Sequence, residues 1–75
     1  MNYYEQVTPI GPFRIAPFDG GWATYFENER LDWYSTPEQA LDDLVGGHGH
    51  WPSPDIDPST LELPDSLSDW RQRRT

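Results

Sequence analysis

Residues 35–51 read STPEQALDDLVGGHGHW, and this stretch decides how the rest of the chain can be arranged. Thr36 can cap a helix, the proline after it suits the first helical position, and Gln39 completes a capping box three residues after the cap. The glycine pair 46–47 ends the pattern as a left-handed cap would. The sequence therefore predicts one main helix over residues 36–46.

The predicted helix is amphipathic. Its apolar side chains recur with helical spacing and form one stripe, made of Ala40, Leu41, Leu44 and Val45. Because a helix this short is marginal in isolation, the stripe must pack on a sheet. Its acidic side chains lie away from the stripe and face solvent.

The residues before the helix have the alternation and turn residues of β-strands. Residues 13–18, 22–27 and 30–34 are rich in aromatic side chains and are separated by short turns. Such short connections force antiparallel neighbours, so residues 11–34 are predicted to form a three-stranded β-meander. The alternation of residues 1–10 is compatible with an edge strand that Pro9 would end.

The C-terminal third has a different composition. Residues 51–66 contain four of the eight prolines, which favours a segment that wraps the body of the protein. Residues 51–70 are predicted to form this Pro-rich wrap, with one or two short helical turns, and residues 71–75 a frayed basic tail. The predicted fold class is thus α+β: a three-stranded antiparallel sheet packed by one main helix, in a single small domain of residues 1–75.

Composition and charge restrict the function classes. The chain has no cysteine, no apolar run near the ~20 residues of a membrane span and no signal-peptide pattern at its start, so a cytoplasmic protein is expected. Thirteen acidic residues against five basic ones give a net charge of −8. Residues 19–69 hold twelve of the acids and a single arginine, Arg30. A field of this sign repels nucleic acid and anionic membranes and attracts basic proteins, although acidity also serves solubility alone.

The spacing of the carboxylates predicts a protein-binding surface. Residues two apart in an extended chain are roughly 6–7 Å apart, and residues four apart on a helix have Cβ atoms about 5–6 Å apart. Rows with these spacings can take the place of DNA phosphates before the arginines and lysines of a partner. The residues expected to do so are Glu27, Glu29, Asp32, Glu38, Asp42 and Asp43.

Two other hypotheses rest on different residues. An exposed aromatic patch at Trp33 and Tyr34 would suit a regulatory or antitoxin-like adaptor that binds a protein partner. His48 and His50 form an H-x-H pair that could ligate zinc, although histidines just after a helix also interact well with its dipole. No motif points to catalysis or to a cofactor, so a protein without enzymatic activity is expected.

The pattern GGW…YFE…LDWYSTPEQALDDLVGGH, followed by PSPDIDPSTLELPDSLSDW, resembles small acidic anti-CRISPR proteins of the type I-C kind from bacteria and mobile elements. The resemblance covers residues 11–70. It implies an inhibitor in the bacterial cytoplasm that imitates DNA. Its partner would be a type I CRISPR surveillance complex, whose target-DNA groove it would block without binding nucleic acid or membrane itself. A monomer or weak dimer is expected, since a dimer would bury exposed aromatic side chains. No site residue follows from the resemblance individually.

Overall fold

The computed structural model describes residues 2–74 and shows, over that range, a five-stranded antiparallel sheet with one α-helix packed on it. The strands run in the spatial order β4-β3-β2-β1-β5. Only the last strand departs from sequence order, because it returns to lie beside the first. The elements are β1 (Asn2–Thr8), β2 (Gly11–Phe18), β3 (Gly21–Phe26), β4 (Glu29–Tyr34), α1 (Pro37–Gly46) and β5 (Arg71–Arg74).

The predicted three-stranded sheet is wrong, first because the N-terminal segment is a full strand. β1 pairs with β2 from Tyr4 opposite Ile15 to Thr8 opposite Gly11, so it is an interior strand and not an edge. Pro9 lies in the two-residue turn, where it removes no ladder hydrogen bond. The Thr8 hydroxyl closes this turn by donating to the carbonyl oxygen of Gly11 at 2.7 Å. Met1, at the start of the predicted edge strand, lies outside the described residues.

The second error concerns the tail that was predicted to be frayed. Residues 71–74 form β5 and pair with β1, from Asn2 opposite Arg74 to Glu5 opposite Arg71. Backbone pairing needs no apolar side chains, and β1 would otherwise present an unpaired edge. Trp70 lies just before β5 and is only 4% exposed, so it fixes where the strand begins. Thr75 lies outside the described residues.

The helix lies where the sequence placed it. The Thr36 hydroxyl accepts a hydrogen bond from the main-chain N–H of Gln39 at 3.2 Å, and Gly47 closes the helix with a left-handed φ of 72°. The Gln39 side chain accepts from the Ser35 hydroxyl at 2.8 Å. The bond from the Gln39 N–H to the Thr36 hydroxyl is therefore formed as a capping box requires, whereas the Gln39 side chain bonds to Ser35.

The core lies between the sheet and the chain that covers it. α1 lies against β2, β3 and β4, and its buried residues Ala40, Leu41 and Leu44 face the rings of Phe13 and Phe26. The Pro-rich segment then crosses toward β1 and holds two 3₁₀ turns in the described range, Pro58–Thr60 and Leu67–Asp69. It adds Leu63 and Trp70 to the same core. Between residues 2 and 74, no helix is long and apolar enough to cross a membrane.

The opposite face of the sheet carries neither the helix nor the Pro-rich segment. Alternation along each strand puts the core residues on one side and their sequence neighbours on the other. A β-bulge at Thr24/Tyr25 keeps this division on β4, because Arg30 is paired with Tyr25 and Asp32 with Thr24. We call this second side the open face; it consists of Tyr3, Glu5, Val7, Pro12, Arg14, Ala16, Phe18, Gly21, Ala23, Tyr25, Arg30, Trp33, Arg71 and Arg73.

Candidate functional site

The six carboxylates that the sequence predicted as a surface lie in three places. Two lie at the turn between β3 and β4, two flank the recess where β4 meets the end of α1, and two lie on the outer side of α1. They therefore form three local pairs, in this order: Glu27 with Glu29, Asp32 with Asp43, and Glu38 with Asp42.

The β3–β4 turn presents its carboxylates on a fixed backbone. Glu27 has a left-handed φ of 53°, and its main-chain N–H donates to the carbonyl oxygen of Pro12 at 3.0 Å. The Arg14 guanidinium donates to the carbonyl oxygen of Glu27 at 2.8 Å. Because these bonds use the backbone, the side chains of Glu27 and Glu29 remain exposed and available to a partner.

The outer side of α1 carries another of these pairs. Glu38 and Asp42 are one helical turn apart and both exposed. A shallow groove joins them to Asp65 and to the Leu67–Asp69 turn of the Pro-rich segment. Three carboxylates thus border one groove, where their mutual repulsion is relieved only by solvent or by a basic partner.

The pair Asp32 and Asp43 lies in a recess lined by β4 and by the loop after α1. Tyr34, His48 and His50 also border this recess. Asp32 accepts two hydrogen bonds from His50, from the main-chain N–H at 2.6 Å and from ring Nδ1 at 3.0 Å. It thereby ties the loop after α1 to β4. Asp32 consequently contributes charge to the surface, but its oxygens are already engaged.

Tyr34 shows how electronegative this recess is. Its partial burial raises the pKa of the phenol well above the ordinary value of about 10. The negative charges of Asp32 and Asp43, both close to the phenol, raise the pKa further. The recess therefore holds Tyr34 as a neutral hydrogen-bond donor throughout the physiological pH range.

The two histidines do not complete a metal site. Across residues 2–74, no three His, Cys, Asp or Glu side chains are arranged to hold a metal ion. His50 is bonded to Asp32, and the His48 ring lies against Gly46 at the end of α1. These contacts give both histidines a structural role and do not favour the metal-binding hypothesis.

The predicted aromatic patch is divided between the two faces of the sheet. Trp33 and Tyr34 are consecutive in β4, so Trp33 lies on the open face and Tyr34 on the helix side. The Trp33 indole N–H donates to the carbonyl oxygen of Phe18 at 2.8 Å, and the residue is 50% exposed. The Trp33 indole therefore belongs with the open face, although the residue also borders the acidic recess.

Sequence reasoning missed the open face as a candidate site. It carries four of the five arginines, Arg14, Arg30, Arg71 and Arg73, and one carboxylate, Glu5. Arg14 lies between the core residues Phe13 and Ile15, and that alternation is a local signal for a basic position on the second face. The contribution of β5 had no such signal, because its pairing with β1 is long-range.

The charge of the molecule is consequently divided. The open face has a formal charge of +3, and the remaining side chains, with twelve carboxylates and Arg74, have a formal charge of −11. We call those twelve carboxylates the acidic surface: Asp19, Glu27, Glu29, Asp32, Glu38, Asp42, Asp43, Asp55, Asp57, Glu62, Asp65 and Asp69. No family model, no sequence of a characterised protein and no solved structure matches this chain.

Proposed function

We propose that the protein is a non-enzymatic inhibitor whose carboxylates on α1 and at the β3–β4 turn, with Asp32 and Asp43, imitate DNA phosphates and occupy the basic DNA-binding groove of a partner. Following the resemblance of residues 11–70, that partner is a type I CRISPR surveillance complex in the bacterial cytoplasm. The observation that carries the proposal is the lack of basic partners for the carboxylates. Within the described residues, ion pairs engage only Glu5, with Arg73, and Asp32, with His50.

Eleven of the thirteen carboxylates are thus without a basic side chain at contact distance in the described part of the chain. Clustered like charges cost folding free energy, so a small domain that keeps them unpaired gains something else from them. Arginine binds a carboxylate as it binds a phosphate, through directional charge-assisted hydrogen bonds. The best-placed residues are Glu38 and Asp42 on the rigid helix and Glu27 and Glu29 on the fixed turn.

A competition measurement tests the proposal. A purified type I-C surveillance complex is mixed with a labelled target duplex and increasing amounts of the protein, at several salt concentrations. We expect the protein to displace the duplex, with an affinity that falls steeply as salt rises. Duplex binding that stays unchanged at every salt concentration would contradict the proposal.

Matched variants separate a defined surface from net charge alone. The double substitution Glu38→Gln/Asp42→Asn removes two charges from the helix, and Asp19→Asn/Glu62→Gln removes two charges from turns. We expect the helix variant to lose about 10-fold or more in inhibition, because contacts to arginine are strong and directional. The turn variant should stay within about 3-fold of the unsubstituted protein, since it changes only the long-range field. Equal losses in both variants would show that net charge alone acts.

A further inference from the structure

The open face has an ordered arrangement of charge. Glu5 is opposite Arg71 on one side and Arg14 on the other; Arg14 is opposite Tyr25, which is opposite Arg30. These five side chains form one row across all five strands of the described sheet, roughly 19 Å long at the usual spacing between strands. A further arginine, Arg73, lies beside this row opposite Tyr3, and its Nε donates to the Glu5 carboxylate at 3.2 Å, a contact that a bound phosphate would replace.

The rings of the open face are held in place by specific contacts. The Trp33 indole lies against Gly21, where an added Cβ would overlap the ring, and its N–H is bonded to the Phe18 carbonyl oxygen. The indole is thereby fixed against the sheet, and the residue remains half exposed to solvent. Immobilised rings bind flat ligands with little additional loss of conformational entropy.

Two arginines on this face lie over aromatic rings. The guanidinium carbon of Arg14 is 5.1 Å from the ring centre of Tyr25, and that of Arg30 is 4.2 Å from the ring centre of Phe18. Guanidinium groups held in this way remain charged and present a planar surface, on which nucleobases stack as they do on aromatic rings. The face therefore combines planar stacking groups with positive charge.

The acidity of the rest of the molecule does not cancel this face. The Cα atoms extend 31 × 21 × 20 Å along the principal axes. One Debye length at physiological ionic strength is about 8 Å, so charges on the outer side of α1, beyond both the sheet and the helix, act weakly on the open face. Carboxylates at the strand ends lie closer, because the carbonyl oxygen of Glu27 accepts from Arg14 and Glu29 directly precedes Arg30, so they reduce the positive potential at that edge of the open face.

We propose that the open face binds single-stranded nucleic acid, with bases stacked on Trp33 and on the ring–guanidinium pairs, and phosphates at Arg71 and Arg73. Single strands expose both bases and phosphates, so they match both halves of this surface. The acidic surface of a second copy would match the arginines but leave the exposed rings without apolar contacts. The inference is independent of the proposed DNA mimicry, which uses the other carboxylates and no residue of this face.

Fluorescence anisotropy with labelled 12-nucleotide oligo(U) and oligo(dT) tests the inference, with a 12-base-pair duplex as the comparison. Trp33→Ala should weaken binding about 5- to 100-fold, the effect of losing one stacked base, and Trp33→Phe should restore most of it. Trp51→Ala is the matched control, because Trp51 is 40% exposed but lies in the loop after α1. It should change affinity less than 2-fold.

Two positions of β5 give a second matched pair. Arg73→Gln removes a charge from the open face, and Arg74→Gln removes one from the other side of the same strand. We expect Arg73→Gln to weaken oligonucleotide binding at least about 3-fold and to lower the dependence on salt, and Arg74→Gln to do neither. Absence of binding at 50 mM salt, or equal losses in the two variants, would overturn the inference. So would self-association in sedimentation that Arg73→Gln abolishes, since it would identify a second copy as the occupant.

Discussion

Tyr34 is a single residue whose protonation couples folding to pH. Because folding raises its pKa, the folded protein keeps the phenolic proton above pH 10, where the unfolded chain loses it. The unfolded state then binds fewer protons, so the free energy of unfolding falls as pH rises through this range. The contribution is fully present below pH 10. Because one proton is involved, the slope is at most about 1.4 kcal/mol per pH unit, and solvent screening of the partly buried phenol narrows the pH range over which it acts.

Urea denaturation at pH 8, 10 and 11 measures this slope. Tyr34→Phe should remove it, while Tyr3→Phe, which deletes a phenol from the open face, should retain it. Equal slopes in the two variants would mean that the Asp32–Asp43 recess does not hold the proton of Tyr34.

Asp32 acts at the same scale, through two hydrogen bonds of unequal importance. Its carboxylate accepts the main-chain N–H of His50 at 2.6 Å, and the His50 ring is 81% exposed. We expect Asp32→Ala to lower the free energy of unfolding by about 1.5–3 kcal/mol, because it leaves that main-chain N–H without its charged acceptor.

The matched variant His50→Ala keeps the main-chain bond and should cost less than about 0.5 kcal/mol, as exposed pairs do. Chemical denaturation of both proteins decides between the bonds. A larger loss for His50→Ala would place the stabilisation in the imidazole.

Among the elements, α1 depends on signals close together in sequence, which is why its bounds could be predicted. Thr36→Ala removes the side-chain acceptor of the Gln39 N–H and should cost about 1 kcal/mol. Ser35→Ala removes only a side-chain contact at the same helix end and should lower the free energy of unfolding by roughly 0.3 kcal/mol. Thermal unfolding followed at 222 nm measures both variants. An equal loss of stability in the two variants would show that the Thr36 cap does not stabilise α1 more than the Ser35 contact does.

The strands at the far side of the sheet could not be predicted in the same way. The segment RQRR of β5 has no apolar alternation, and its partner β1 lies nearly the whole chain away. Pairing across such a separation is decided by tertiary structure, through the anchor Trp70 and the otherwise bare edge of β1. Pro9 indicates the end of a strand, although proline is equally a residue of hairpin turns.

Removing β5 should therefore destabilise the whole sheet. Truncation after Trp70 deletes four paired residues and exposes the β1 edge, which should cost roughly 2–4 kcal/mol and promote aggregation. Replacing the three arginines of β5 by threonine keeps the backbone pairing and serves as the control for charge. A truncated protein as stable as the full chain would show that β5 adds nothing to the fold. The measurement is the denaturation midpoint together with light scattering.

At the scale of the whole molecule, the net charge of −8 predicted that this protein has an acidic surface for a basic partner. It did not show how the charges are distributed over the molecule. Charge counted along the sequence adds residues that the fold places on opposite sides. Arg14 is far in sequence from Arg71 and Arg73, and it comes close to them only because β1 lies between β2 and β5. The six predicted carboxylates, conversely, are close in sequence yet divide into three pairs. The sequence therefore predicted which residues share a surface only where they lie on one element, as Glu38 and Asp42 do on α1.

If the two sides act separately, variants of one side should leave the other intact. Glu38→Gln/Asp42→Asn should weaken competition with duplex DNA and leave oligonucleotide binding at 150 mM salt unchanged within about 2-fold, because salt at this concentration screens exposed charges over about 8 Å. At 20 mM salt, where the Debye length is roughly 20 Å, the same variant should bind oligonucleotide more tightly, since less negative charge then repels it. Arg73→Gln should weaken oligonucleotide binding and leave competition with duplex DNA unchanged. An oligonucleotide affinity equally raised at both salt concentrations would mean that the acidic residues contact the open-face ligand directly, and the two sides would then form one site.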